Sequence, residues 1–424
     1  MSSMQDADLT MSQNPFTPVF WKKDRLKTIA SRIETGRRPP DEPEEVLSIG
    51  GEHIQDGKFC LASPKFVSAQ TFASSRGKIA LGDLLVVKDG ATIGKCMYVE
   101  ELPYKRMLLN EHVYRIPIEK FFYYWMMSTH AQGWFRSQNM STAQESIPLE
   151  TIFSLPILVP PPTDRKRIVA FLDEKTAAID KRIALLERKR DTLKRLKKSV
   201  IHHAVTRGLD PNVPLKESGV EWIGKIPEKW ALVRIKDLVS VCAGATPDTK
   251  DDHNFDGSVV WVTPADFKTS DHYVSGGRRN LSELGLQNCS AVVFPAKSLI
   301  LSKRAPVGTV AISTIAMATN QGCLTCVPSG EVDINFLYYS LATKTALLEA
   351  ISSGSTFLEL SADAFKNTVL AIPSLPEQGA IADYLDAECA KIDAMATTIE
   401  KQINACRRLK RALIDEVVTG RRAV

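Results

Sequence analysis

The chain has 424 residues, enough for two or three domains that each bury a core of their own. Hydrophobic residues make up 44% and charged residues 24%, which is typical of globular proteins and excludes a wholly disordered chain. The net charge of +5 is compatible with a nucleic-acid partner but does not establish one, because where the charge lies matters more than its sum.

The N-terminal segment, residues 1–19, is polar and acidic, so it is interpreted as a flexible tail and not as a signal peptide. No apolar run approaches the ~18–20 residues of a transmembrane helix, and no membrane partner is expected. Eight cysteines are scattered without a secretory signal, which favours reduced thiols in a cytoplasmic protein. Cys323 and Cys326 form the one C-x-x-C; with no second pair at zinc spacing, they are interpreted as part of a strand, and no metal site is predicted.

Residues 20–160 form the first region between the tail and a long helix. They contain short β-branched runs punctuated by Gly, Pro and Asn, a pattern that predicts a small mainly-β or mixed domain. The run LLVVKDGATIGK from Leu84 carries a glycine loop that ends at Gly94. Pro160 to Pro162 then lead into the helix, where proline is tolerated at the first turn.

Two long helices are predicted, over residues 163–207 and 376–421. They match without a gap at an offset of 213 residues, so the chain contains an internal duplication. The matched pairs include Ile168/Ile381, Leu172/Leu385, Asp173/Asp386, Ile179/Ile392, Asp180/Asp393, Lys197/Lys410, Ile201/Ile414 and Thr206/Thr419.

A heptad row of apolar residues runs along each helix, with a second row at Ile168, Ile183 and Leu196 and at Ile381, Ile403 and Leu409. Helices about 60–68 Å long with such a stripe need a partner, and each copy is the obvious partner of the other. We therefore predict an antiparallel coiled coil within the chain. Its expected contact residues, which are also candidates for docking a partner, are Leu172, Ile179, Leu186, Leu193, Val200, Leu385, Ile392, Ile399 and Leu413.

A linker at residues 208–228 leads into a second mixed domain, residues 229–373. This domain repeats the first one weakly: Trp230 and Gly244 match Trp21 and Gly36, and SLILSKRAPVGT from Ser298 matches the first glycine loop. The predicted fold class is α+β, with two mixed domains alternating with two long helices and an internal pseudo-two-fold. The two helices are alike, whereas the two mixed domains have diverged from each other. This pattern suggests a constant helical frame that holds two domains of different specificity.

Charge is concentrated on the first helix. Residues 163–207 hold 14 Lys or Arg against 6 Asp or Glu, whereas residues 376–421 hold 7 against 8. The basic face could be a solvated exterior, a phosphate-contacting stripe or a docking surface for an acidic partner. We favour partner docking or loose phosphate contact, since phosphate contacts position a protein without specifying sequence.

No motif in the sequence supports catalysis. The sequence from Gly219 to Lys225 fits G-x-x-x-x-G-K, but Ile226 follows where a phosphate-binding loop needs Ser or Thr. Asp248, Asp266 and Lys268 mimic the acid-acid-lysine layout of metal-dependent nucleases, a pattern common enough to arise by chance. The chain is predicted to have no catalytic residues and not to be an enzyme.

Several motifs together are far more specific than any one of them. They are the linker ESGVEWIGKIPEKW that ends at Trp230, the phrase DGATIG that ends at Gly94, and the helix ends AVTRGLD and VVTGR. With these motifs, the chain from about Phe20 to Arg421 resembles the specificity subunit of type I restriction-modification systems. The run from Lys303 to Gly308 departs from the usual glycine-loop form, which bears only on which bases are read.

The resemblance implies a DNA-binding subunit whose two target recognition domains each read one half of a split double-stranded target. The helices would set the spacer and dock two methyltransferase subunits, and motor-nuclease subunits would join the complex. S-adenosylmethionine, ATP and Mg²⁺ would be bound by those partners, with adenine methylated in a flipped-out state. This chain would bind no cofactor.

Base readout needs polar side chains on loops that reach the major groove. The nine residues expected to contact DNA are Arg37 and Arg38 (at phosphates), Lys88, Asp89 and Thr92 in the first domain, and Lys250, Lys303, Arg304 and Gln321 in the second. Two alternatives stay open: a coiled-coil scaffold whose domains bind protein, and an enzyme that uses the nuclease-like triad.

Overall fold

The computed structural model describes residues 21–30, 32–36, 46–55, 57–90, 92–139, 146–353 and 358–424. The chain divides into two compact units. The first unit consists of Met1–Glu187 with Glu400–Val424, and the second consists of Arg188–Ile399.

The mixed domain of the first unit contains eleven strands and four short helices in its described residues and ends where the first long helix begins. Two single 3₁₀ turns, Leu26–Thr28 and Gly51–His53, complete it. In chain order the elements are β1 Lys22–Arg25, β2 Glu34–Thr35, β3 Val46–Ile49, β4 Ile54–Gln55, β5 Lys58–Phe59, β6 Lys65–Val67, α1 Ala69–Ser74, β7 Asp83–Val87, β8 Cys96–Tyr98, β9 Met107–Leu109, β10 Val113–Pro117, α2 Lys120–Met127, α3 Thr129–Asn139, α4 Leu149–Phe153, β11 Pro156–Val159 and α5 Pro162–Arg207.

In the second unit, a linker hairpin follows the C-terminal part of α5, and a second long helix follows the mixed domain. One 3₁₀ turn covers Asp252–Asn254. The elements are β12 Leu215–Glu217, β13 Lys225–Pro227, β14 Ala231–Arg234, α6 Ile235–Leu238, β15 Val239–Ala243, β16 Phe255–Val259, β17 Trp261–Val262, β18 Tyr273–Val274, α7 Glu283–Gln287, β19 Leu299–Ser302, β20 Val310–Ser313, β21 Ala318–Thr319, β22 Cys323–Pro328, α8 Ile334–Ala342, α9 Thr345–Ala350, α10 Ala362–Asn367, β23 Val369–Ile372 and α11 Leu375–Val418.

Both units build their main sheet in the same order. The first has β2-β10-β7-β8, and the second has β15-β22-β19-β20 with β18 added in parallel at the edge. The central strands β7 and β19 are buried along their whole length, which agrees with their apolar runs at residues 84–87 and 299–301. A parallel pair, β3 with β9 and β17 with β21, lies beside the main sheet in each unit.

The first and last strands of each mixed domain pair antiparallel. β1 pairs with β11, with Lys22 opposite Val159, and β14 pairs with β23, with Ala231 opposite Ile372. The chain therefore enters and leaves each domain at one place, next to the start of a long helix. The second mixed domain is thus inserted between the two long helices, whereas the first precedes α5 in the chain.

The long helices take part in the hydrophobic cores of the units. In the first unit, Leu172 of α5 and Ile414 of α11 share a core with Trp125. In the second, Leu385 of α11 and Val205 of α5 share a core with the domain residues Trp230 and Phe336. In each unit, one hydrophobic cluster spans part of the mixed domain and the helix ends beneath it, and further clusters lie within the domain.

An ion pair between the long helices is repeated in both units. Lys410 Nζ lies 2.7 Å from Asp180 Oδ2 in the first unit, and Lys197 Nζ lies 2.7 Å from Asp393 Oδ2 in the second. The two aspartates are 213 residues apart in sequence, and so are the two lysines. The duplication therefore reproduces the contact. In the first unit Arg407 also pairs with Glu187 at 3.0 Å, and residue numbers run in opposite directions along the two helices. The helices pair antiparallel, and the predicted fold class is confirmed.

Burial of the predicted heptad rows is uneven. Six of the nine residues are buried, whereas Ile179, Leu186 and Val200 are half-buried. In the second row, Leu196 and Leu409 are exposed, so the prediction that they complete the buried stripe is wrong. Leu196 follows Leu193 by three residues, which places it about 60° around the helix and outside the contact.

A tyrosine joins the mixed domain to the helix in each unit. The Tyr124 hydroxyl donates to Asp173 at 2.5 Å in the first unit, and the Tyr339 hydroxyl donates to Asp386 at 2.6 Å in the second. Burial is the largest cause that raises the pKa of both tyrosines, and the adjacent carboxylate adds to it. These equivalent contacts fix each domain on its helix.

The ends of the helices follow from local glycines. Gly208 and Gly420 have φ of +77° and +73°, a conformation that ends helices. As a result α11 ends at Val418, before the predicted Arg421, while α5 ends at Arg207 as predicted. Among the described residues, no helix is both long and apolar enough to cross a membrane.

Candidate nucleic-acid interface

Three loop segments meet at one edge of each mixed domain. The first rim, as we call it, comprises residues 88–90, 92–94, 110–112 and 146–147. The second rim comprises residues 303–308, 320–322 and 359–360. The Lys88 amide donates to His112 O at 3.0 Å, and Ile147 donates to Lys88 O at 2.8 Å. The Lys303 amide donates to Gly322 O, and Leu360 donates to Lys303 O, both at 2.9 Å. Lys88 and Lys303 therefore occupy equivalent places.

A glycine closes the loop after the central strand in each rim. Gly94 donates its amide to Val87 O at 2.8 Å, and Gly308 donates to Ser302 O at 2.9 Å. Their φ values of +78° and +80° lie in the left-handed region, which disfavours residues with a Cβ atom. The repeated glycine identified in the sequence thus holds a tight loop at the edge of the domain.

Asparagine forms the second segment of each rim, a feature that sequence reasoning missed. Asn110 Oδ1 accepts from the His112 amide at 2.9 Å, and Asn320 Oδ1 accepts from Gly322 at 3.0 Å. Asparagine is favoured in turns of this kind because its side chain can accept a hydrogen bond from the backbone two residues further along the chain. The signal was available as Asn-Glu-His-Val and Asn-Gln-Gly-Cys, each directly before a buried strand. Gln321 lies in this turn.

Asp89 contacts three side chains of the first rim. Its carboxylate accepts a hydrogen bond from the Ser146 hydroxyl and lies 3.1 Å from His112 Nδ1 and 3.5 Å from Lys88 Nζ. Partial burial alone would raise its pKa, but the bonds from Ser146 and His112 and the charge of Lys88 together hold the pKa of Asp89 below its ordinary value. Lys88 and Asp89 therefore form an ion pair within one loop.

Glu359 plays the corresponding part in the second rim. Its carboxylate lies 2.8 Å from Lys303 Nζ and 3.3 Å from Arg304 Nε. The hydrogen bond from Lys303 is the largest cause that lowers the pKa of Glu359, and the charge of Arg304 contributes as well. Glu359 was not predicted from the sequence, because 55 residues separate it from Arg304.

The other predicted DNA contacts occupy varied positions. Thr92 is half-buried, and its carbonyl accepts from the Lys95 amide at 3.1 Å. Gln321 is exposed, and its side-chain oxygen accepts from the Thr246 hydroxyl. Lys250 is exposed further along the loop that contains Thr246. Arg37 and Arg38 lie outside the described residues.

The motifs set aside in the sequence have structural roles. Lys225 begins β13 of a hairpin and pairs with Glu217 at 3.5 Å, so the G-x-x-x-x-G-K match lacks a following helix. Asp266 accepts from the amide and hydroxyl of Thr263 at 2.8 and 2.6 Å, which closes a turn. In the described part of the chain, no three His, Cys, Asp or Glu side chains are grouped so that they could hold a metal ion.

Cys323 and Cys326 lie in β22, which confirms the strand interpretation. Both side chains are buried, and burial raises the pKa of each thiol. The pair therefore belongs to the core of the second domain.

Comparison with known proteins agrees with the architecture. A family model described as "Type I restriction modification DNA specificity domain" matches residues 19–195 and 227–405. The MjaIX specificity subunit of a type I restriction enzyme from Methanocaldococcus jannaschii is 40% identical over 166 residues, which are 38% of each chain. The putative MjaX specificity subunit of the same organism is 22% identical over 95% of this chain and 94% of its own.

Two solved structures share the fold. A chain from a study of the "complex assembly and conformational transition of the type I R-M system" has a TM-score of 0.74 at 18% identity, covering 95% of this chain and 98% of its own. The HsdS subunit from Thermoanaerobacter tengcongensis has a TM-score of 0.50 at 19% identity, covering 97% of this chain and 100% of its own.

Proposed function

This chain belongs to the family of type I restriction-modification DNA specificity subunits, and on that basis we propose that its two rims each read one half of a bipartite DNA target. The observation that carries the proposal is the contrast between frame and rims. The interhelical ion pair is repeated with identical residue types, Asp180/Asp393 and Lys197/Lys410. The rims keep their backbone hydrogen bonds but differ in side chains. A constant frame with variable edges suits two readers of different specificity.

Base readout is best supported at the glycine loops and asparagine turns. They bring charged and amide groups to an edge where the backbone is held by strand hydrogen bonds, which limits the cost of ordering a loop on binding. Lys88, Lys303, Arg304 and Gln321 are the proposed groups that reach base edges, and Arg37, Arg38 and Lys250 are the proposed phosphate contacts. Asp89 and Thr92 stay in the proposed interface, with Asp89 engaged by neighbouring side chains.

The helices are proposed to act as the spacer and as the docking platform for two methyltransferase subunits. A helix of 46 residues measures about 69 Å at 1.5 Å per residue, comparable to two turns of B-DNA at about 34 Å each. The buried heptad residues serve the interior of the chain, so docking falls to exposed faces such as the basic face of α5. Adenine methylation, with S-adenosylmethionine, and ATP- and Mg²⁺-dependent translocation are proposed for partner subunits in a cytoplasmic complex.

A domain exchange tests this assignment. Residues 20–160 are replaced by the corresponding domain of a specificity subunit with a known target, and the chain is expressed with its methyltransferase partner. Genome-wide mapping of methylated adenine should show that one half of the motif changes while the other half and the spacer stay the same. The matched control exchanges residues 229–373 and should change the other half. Simultaneous change of both halves would contradict the proposal.

A further inference from the structure

Each rim contains a clamp, a bridge between the glycine loop and a facing segment, and the carboxylate comes from opposite sides in the two rims. In the first rim, Asp89 forms an isolated β-bridge with Ser146. In the second, the equivalent bridge joins Arg304 to Glu359. The loop therefore carries the carboxylate in the first rim, whereas the facing segment carries it in the second. Both clamps close across long sequence separations, 57 and 55 residues.

Each carboxylate contacts the lysine of its own rim and at least one further side chain. Asp89 contacts Lys88 and His112, and Glu359 contacts Lys303 and Arg304. Lys88 and Lys303 occupy equivalent backbone positions, so one lysine per rim is held by a carboxylate supplied from opposite sides. Such an arrangement limits the positions that these flexible side chains can adopt.

The ion pair in the second clamp leaves part of the Arg304 guanidinium available for DNA. The ion pair engages Arg304 Nε, while the two Nη atoms of a guanidinium are a pair that can donate together to guanine O6 and N7. Arg304 is 49% exposed, so its outer edge faces solvent. Without Glu359, Arg304 and Lys303 would be two mobile cations that attract any phosphate backbone.

We propose that Asp89 and Glu359 are positioning residues that fix the glycine loops and the cations beside them, so that each rim selects bases and does not bind duplex DNA indiscriminately. This inference rests on the proposed function. It assigns Asp89 the role of holding the loop, in contrast to a direct base contact. It also predicts that each clamp controls its own half of the target.

The test compares Glu359→Gln, Asp89→Asn and Ser146→Ala in the complete chain bound to its methyltransferase partner. Glu349→Gln is the matched control, because Glu349 is an exposed acid on α9 outside the rim and loses the same charge. Methylated adenines are mapped in cells, and duplexes with the mapped target or a shuffled sequence are titrated with each complex at several salt concentrations. Thermal unfolding of each complex checks that the variants are folded.

For Glu359→Gln, we expect the ratio of target to shuffled affinity to fall roughly tenfold, comparable to loss of one well-placed base contact. For shuffled DNA, the slope of the logarithm of the binding constant against the logarithm of the salt concentration should become steeper by about one to two, because the freed cations contact phosphates. The methylated motif should become degenerate in one half only. Asp89→Asn and Ser146→Ala should relax the other half, and Glu349→Gln should match the wild type.

A uniform loss of methylation at all sites, with the motif unchanged, would show a merely structural role and overturn the proposal. Ratios within about twofold of the wild type in folded variants would overturn it as well. Failure of the proposed function gives a different result, because the wild-type complex would then methylate no bipartite motif. The two outcomes are therefore distinguishable.

Discussion

Replacing Leu385 by alanine tests whether the long helix and the second recognition domain share one core. Leu385 has no exposed surface and packs in a cluster with Trp230 and Phe336 of the domain. Its truncation leaves a cavity, and buried Leu→Ala changes of this kind cost about 3–5 kcal/mol. For a unit of this size, that corresponds to a fall in Tm of about 6–20 °C.

The matched control is Leu409→Ala, since Leu409 is 59% exposed on the same helix. It should change the free energy of unfolding by no more than about 0.5 kcal/mol. Calorimetry and tryptophan fluorescence of the full chain are the assays, with fluorescence monitoring Trp230 and the other tryptophans. Equal effects of the two substitutions would refute the shared core. So would an unfolding transition of the domain that Leu385→Ala leaves unmoved.

Three further predictions concern the frame and the rims. Gly36→Ala and Gly244→Ala should each destabilise the chain by more than about 2 kcal/mol in urea unfolding, since their Cβ atoms would lie 1.5 Å from Leu109 O and 2.2 Å from Thr319 O; Gly379→Ala, with open space, should be neutral or stabilising, and the reverse ranking would contradict the packing. Burial is the largest cause that lowers the pKa of His272, and it outweighs the opposite effect of Asp386. The stability that the neutral His272 side chain contributes is therefore complete above about pH 6.5 and is lost as the pH falls. Phenylalanine does not titrate and keeps a ring stacked on Tyr338. The Tm of His272→Phe should therefore fall less than that of the wild type between pH 7.5 and 5.5, and an equal fall would count against this assignment. Inserting seven residues after both Glu187 and Glu400 should lengthen the unread spacer by about 3 base pairs, as 1.5 Å per residue meets 3.4 Å per base pair; an altered half-site with the old spacer would argue against the helices as a ruler.

The helical frame was predictable because its information is local and repeated. A gap-free offset and a seven-residue apolar period predict the helices. The same offset relates the ion pair of Asp180 and Lys410 to the ion pair of Asp393 and Lys197. The exposure of Leu196 and Leu409 was not predictable from the period alone. It depends on how the helices turn against each other and against the domains, which requires the packed structure.

The rims were predictable only in part. The glycine loops were visible as sequence matches, because a left-handed backbone requires glycine. The clamps were not visible, since Asp89 and Ser146 are far apart in sequence and the second rim has its carboxylate on the facing segment. Contacts of this kind arise when the strand order of the sheet brings distant loops together.

The most direct test of the account is the methylation map of cells that express the wild-type chain with its methyltransferase partner. The account predicts a motif in two short parts separated by an unread spacer of constant length, with the methylated adenines on opposite strands. A continuous motif, or methylation without any motif, would contradict it.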